Sequence, residues 1–89
     1  MIQQQSLVDR TLDRLIDLII TMKLTKLPSQ DHLSKQFGVS RTVLREALAK
    51  LEFLNVLTPR PKTGTVVNPA SNWKTRNDEV INWIKRATA

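Results

Sequence analysis

Between Pro28 and Gly38 the chain has room for barely two turns of helix, and two longer apolar rhythms bracket that short stretch. Pro28 disfavours helix at Leu27, and Ser29 is placed to cap a new one. Leu33 and Phe37 then form an inward i, i+4 pair, and Gly38 supplies a left-handed C-cap. Upstream, Val8, Leu12, Leu15, Ile19 and Met22 recur at spacings of four and three, with Ile16 beside them. That stripe predicts a first helix, opened by Ser6 and Asp9 in a capping-box-like pair. Asp9, Asp13, Asp17, Arg10 and Arg14 fall on its other side, a neutral outer face. Downstream, Ser40 caps a third helix with Leu44, Ala47, Leu48, Leu51 and Leu54 on one side. Asn55 tolerates positive φ and can end it.

Two β-branched runs follow, Val56-Leu57-Thr58 and Thr65-Val66-Val67, around a turn of Pro, Lys, Thr and Gly. They predict a hairpin, and Pro59 and Pro61 mark it as an exposed two-stranded ribbon. A connector leads to a short helix from about Asn77, with Val80, Ile81 and Ile84 on one side. The fold class is therefore mainly α with a small β-hairpin. Its element order is that of a winged helix-turn-helix: a three-helix core plus wing, then a short C-terminal helix. The winged domain is assigned to residues 1–68.

Charge narrows the partner. The 89 residues carry 14 Lys+Arg against 8 Asp+Glu, a formal +6. Residues 1–33 hold four of each sign, so residues 34–89 hold ten basic and four acidic side chains and the whole excess. A polyanion is the natural partner of that asymmetry. Helical placement at 100° steps sets Arg41, Thr42, Arg45 and Ala49 opposite the apolar side of the third helix. In a helix-turn-helix the second helix of the pair enters the major groove of duplex DNA, its N-terminal residues at the base edges. Here those residues are Ser40, Arg41, Thr42 and Arg45. A guanidinium can donate two bonds to guanine, and the hydroxyls can bind phosphates. Arg60, Lys62, Thr63 and Gly64 form the wing, and Gly64 lets backbone approach a sugar-phosphate edge. Ser29, Lys35 and Lys50 are read as supporting phosphate contacts, with Glu46 and Lys50 as an i, i+4 pair. Phe53 falls on the polar side, either packed under the wing or marking a subunit contact. Trp73 and Trp83 are expected to pack on the first helix or on a second domain rather than stack on bases.

"LPSQDHLSKQFGVSRTVLREALAKLEFLNVLTPRPKTGTVV", residues 27–67, resembles the signature of the GntR family of bacterial transcription regulators. That signature runs Leu-Pro-Ser, a short helix, Phe-Gly-Val-Ser-Arg, Val/Leu-Arg-Glu-Ala-Leu and a wing ending Gly-Thr-x-Val. "SNWKTRNDEVINW" is similar to a Trp-rich segment of FadR-type members, above all regulators of sugar-acid metabolism. The resemblance implies that Arg41 and Arg45 contact the major groove and that Lys62 to Gly64 form the wing tip. It further implies a near-palindromic operator, a homodimeric parent, and a repressor that answers to a small acid bound by a C-terminal effector domain. Residues 69–89 are then a connector and the start of a linker helix toward that domain, which these residues do not contain. Without it, the chain is expected to be a monomer or weak dimer. Two positions depart from the pattern: Asp31 stands where the family commonly has a DNA-contacting Arg, and Asn55 where it has Gly.

Other classes fare worse. There is no cysteine, no glycine-rich phosphate loop and no evident Ser/His/acid set, so no enzyme is expected from these residues. A parent fused to an aminotransferase-like module remains an alternative, as does a winged helix used for protein contacts. The second alternative asks for an apolar or acidic outer face on the third helix. His32, the only histidine, makes no metal site by itself, and no cofactor is called for. No secretory signal or membrane-length apolar run appears, so a cytoplasmic location is expected.

Overall fold

Ser6 opens α1 (Leu7–Met22) as its sequence suggests, its Oγ accepting from the Asp9 N–H at 3.0 Å. The computed structural model describes residues 6–89; residues 1–5, the polar start, lie outside them. α2 (Gln30–Phe37) and α3 (Arg41–Phe53) begin in the same way. Ser29 Oγ accepts from the His32 N–H at 3.2 Å, and Ser40 Oγ from the Val43 N–H at 3.1 Å. Each side chain satisfies one orphan donor of its helix.

The three helices also stop alike. Lys23, Gly38 and Asn55 take left-handed φ values of 50°, 64° and 62°. In each case that residue and the next donate back into the last turn: Lys23 and Leu24 to Ile20 and Ile19, Gly38 and Val39 to Lys35 and Ser34, Asn55 and Val56 to Glu52 and Leu51. Gly38 and Asn55 behave as expected. Lys23 is a stop that the sequence does not advertise.

β1 (Leu57–Arg60) and β2 (Gly64–Val67) pair antiparallel, Leu57 opposite Val67 and Arg60 opposite Gly64. The ribbon has a further edge. Lys26 bridges Val66, with the Leu27 N–H on the Thr65 carbonyl and the Val67 N–H on the Thr25 carbonyl, both at 2.9 Å. The α1–α2 connection is thus sewn to the base of the hairpin. A 3-10 turn at Ala70–Asn72 leads to α4 (Asp78–Ala87), which Asn77 caps through the Val80 N–H.

α1 lies across α3, and Leu15, Ile16, Leu33, Leu44, Leu51, Val56 and Val80 are fully buried between the elements. Thr11, buried among them, gives its hydroxyl to the Leu7 carbonyl at 2.8 Å. Trp73 and Trp83 complete the same core, and the Trp73 indole donates to the Asn68 carbonyl at 2.9 Å. α4 packs on α1 with Val80 and Trp83 buried.

Four expectations change. Met22 is 62% exposed, because the chain reverses at Lys23 and Leu24 turns inward in its place. Ile81 is at the surface and Trp83 takes the inner position on α4. Phe53 is 60% exposed and does not lie under the wing; Lys74 and Arg76 flank its ring at 5.2 and 5.0 Å. The outer face of α1 is not idle. Asp9 holds Lys50, Asp17 holds Arg86, and Arg14 donates to the Phe37 carbonyl while stacking on its ring.

Candidate nucleic-acid interface

A short helix closed by Gly38 and reopened by Ser40 fixes the angle between α2 and α3, and so decides which side chains of α3 face outward. Arg41, Thr42, Arg45 and Ala49 are all exposed, opposite the buried row of Leu44, Ala47, Leu48 and Leu51. Ser40 and Ser29 use their oxygens as cap acceptors, which leaves each hydroxyl hydrogen available to a phosphate oxygen.

The two arginines are not loose. Arg41 Nη2 pairs with the Asp31 carboxylate, and Arg45 Nε donates to Gln30 Oε1 at 3.3 Å. The first turn of α2 therefore holds the outward face of α3. Sequence reasoning marked Asp31 as a departure without foreseeing this contact, and missed Gln30; nothing in the local pattern links positions 15 residues apart.

The wing gathers cations. Arg60 ends β1 and is exposed, as are Lys62, Thr63 and Gly64. Lys62 sits in the turn at φ 68°, and the Thr63 N–H donates to the Pro61 carbonyl at 2.7 Å. Gly64 has φ 92°, a conformation that other residues rarely adopt. Its open side is not vacant: a β-carbon there would stand 3.2 Å from Lys26 Cε. Lys26, placed by the bridge to Val66, joins Lys62 and Arg60 on the hairpin. It is a cation that the sequence did not assign to the wing.

Lys35 is exposed on α2. Lys50 stands apart from the outward arginines, nine residues and half a rotation from Arg41. Its Nζ is 3.1 Å from Asp9 Oδ1 rather than at Glu46. That hydrogen bond, followed by one with Ser6, holds the Asp9 carboxyl below its ordinary value. Acids of the first third thus neutralise Arg41, Lys50 and Arg86, while Lys26, Lys35, Arg60 and Lys62 enter no ion pair among the described residues. No group of three potential metal ligands occurs among the described residues, and no helix is long and apolar enough to cross a membrane.

The family described as "Bacterial regulatory proteins, gntR family" matches residues 4–67. The HTH-type transcriptional regulator YieP of Escherichia coli is 46% identical over 59 residues, 66% of this chain and 26% of that protein. A putative L-lactate dehydrogenase operon regulatory protein of Escherichia coli is 45% identical over 64 residues, 68% of this chain and 25% of its own length. The chain spans about a quarter of the curated relatives it matches. Among solved structures, Streptococcus agalactiae GntR superposes with a TM-score of 0.65 at 32% identity, covering 73% of this chain and 32% of that one. A structure titled "Crystal Structure of mutant ORR3 in complex with NTD of AraR" gives 0.65 at 26% identity over 73% of this chain and 97% of that one. The outward arginines, the capped short helix and the wing stand within this match, and the chain belongs to the GntR family as a helix-turn-helix DNA-binding domain of a transcription regulator.

Proposed function

We propose that α3 reads duplex DNA in the major groove through Arg41, Thr42 and Arg45, and that the wing lies on the adjacent backbone. One observation carries this reading: the three side chains share a single exposed face at the N-terminal end of α3, which Ser40 caps. Ser40 and Ser29 bind flanking phosphates through their hydroxyls, Lys35 through its ammonium. Arg60, Lys62, Thr63 and Gly64 form the backbone contact of the wing. Lys50 acts only if Asp9 releases it.

The parent protein is proposed to be a metabolite-responsive repressor of a sugar-acid or carboxylate pathway, acting as a homodimer on a near-palindromic operator. The Trp-bearing stretch from Ser71 and the similarity to a putative L-lactate dehydrogenase operon regulator support that assignment. Residues 69–89 are read as the connection from the winged domain at 1–68 to an effector domain, with α4 docked on α1 and sharing its core where that connection starts. The acid does not bind within these residues. A groove of about 500 Å³ beside α4 is lined by Asp9, Glu79 and Lys50, with Lys50 already held by Asp9, which leaves no free cation there among the described residues to bind an acid.

In vitro selection from a random duplex pool tests the reading. A recovered site with a G·C preference that Arg45→Ala loses supports it; failure to enrich any sequence overturns it. Sedimentation should give a monomer or weak dimer. Aldonates and uronates at matched ionic strength should leave affinity for the selected duplex unchanged, and release by one of them would place the sensor inside the chain.

A further inference from the structure

The two arginines that α3 presents to solvent are each held by a neighbour in the first turn of α2. Gln30 takes Nε of Arg45, and Asp31 takes Nη2 of Arg41. The Arg41 and Asp31 side chains are 62% and 61% exposed, and an ion pair that open adds little to stability. What it fixes is direction. Arg45 keeps both Nη groups, the pair that suits the O6 and N7 of guanine. Arg41 is held on one edge and offers the other, so rotamer freedom is spent before DNA arrives.

The acid also has a cost that depends on how the chain sits on DNA. If Arg41 swings to a phosphate, the ion pair breaks and the Asp31 carboxylate is left facing a polyanion. If Arg41 points at a base edge, it keeps Asp31 beside it. The repulsion falls on the unselective arrangement, which is how a binder gains discrimination without a new attractive contact.

We propose that Asp31 is a positioning residue that sets the selectivity of Arg41: it confines the guanidinium to base edges and lowers affinity for arbitrary duplex. This rests on the reading of α3 given above, so the experiment begins with Arg41→Ala. Two duplexes are used, the one selected by the unmodified chain and a scrambled version of it, with affinity followed by fluorescence anisotropy across a salt series. If Arg41→Ala leaves the ratio of the two affinities unchanged, the role of Arg41 fails and this proposal with it.

With Arg41 established, Asp31→Asn should bind the scrambled duplex more tightly and lose roughly five- to tenfold in the ratio, within the range that one good base contact supplies. Its salt slope on the scrambled duplex should steepen by up to about one unit, as Arg41 becomes free to neutralise a phosphate. Asp78→Asn, an equal change of net charge on α4, should leave the ratio alone. The proposal is overturned if Asp31→Asn strengthens both affinities equally, if it weakens both, or if Asp78→Asn reduces the ratio as much. A merely structural role for Asp31 would weaken both complexes together, which separates it from the outcome expected here.

Discussion

Lys50 Nζ sits 3.1 Å from Asp9 Oδ1 and joins the far end of α3 to the first turn of α1. Nearby, burial first and then Asp13 and Asp9 push the Glu79 carboxyl on α4 above its usual 4.5. The two acids act on stability with opposite signs. Asp9, lowered from 3.8, contributes stability that is present above 3.8 and disappears as pH falls through its lower folded value. Ionised Glu79 opposes folding, and that cost is relieved as pH falls from above its raised value toward 4.5. Thermal midpoints followed by circular dichroism should therefore hold or rise slightly on approach to pH 4.5 and fall below 3.8. Glu79→Gln should raise the midpoint at neutral pH and remove the rise; a lower midpoint would contradict this account.

Arg45→Ala should cost about 1–3 kcal/mol on the selected duplex and relax preference at one base pair, with the fold unchanged because the side chain is exposed. Competition binding against single-base variants of the site measures both quantities. Unchanged affinity would mean that another face of the domain meets the bases.

Lys62→Ala and Lys26→Ala should each weaken selected and scrambled duplex alike and reduce the salt slope by about one unit, because each neutralised phosphate releases roughly one counterion. Lys50→Ala should barely change the slope while its ammonium stays on Asp9. If Lys50 alters the slope and Lys26 does not, the assignment of cations to the backbone is reversed.

Trp83→Ala should destabilise the fold by about 3–5 kcal/mol, since the indole is buried between α4 and the core. Phe53→Ala should cost no more than about 1 kcal/mol, because its ring is 60% exposed and is flanked by the cations Lys74 and Arg76. Urea denaturation of the two variants distinguishes a structural α4 from a loosely attached one.

Helix boundaries were legible because their signals are local. A serine before an apolar rhythm and a Gly or Asn after it need no knowledge of what lies across the fold, and Ser6, Ser29, Ser40, Gly38 and Asn55 act as their types suggest. The outward face of α3 follows from spacing alone. What escaped was contact at a distance. The bridge of Lys26 to Val66 has no strand-length alternation to announce it. The acids of α1, which balance the basic residues of their own segment on paper, reach Lys50 and Arg86 instead. Met22 obeys the period and still faces solvent, because a rhythm says where a side chain points and not whether anything is there to meet it.

Asn68 closes the base of the hairpin with unusual economy. Its amide donates to the Asn55 carbonyl and to Thr58 Oγ1, both at 2.9 Å, and its backbone carbonyl takes the Trp73 indole. The stop of α3 and the root of β1 therefore share the Asn68 side-chain amide, and the connector to α4 is tied to the same residue through its backbone carbonyl. The hairpin tip, Pro61 to Thr63, has no such anchor. The ribbon is consequently held at its root and freer at its tip: root amides should exchange with heavy water through a shared opening, and tip amides faster. If the wing meets a duplex as proposed, such a build should let its tip follow the local groove width with little displacement of α3.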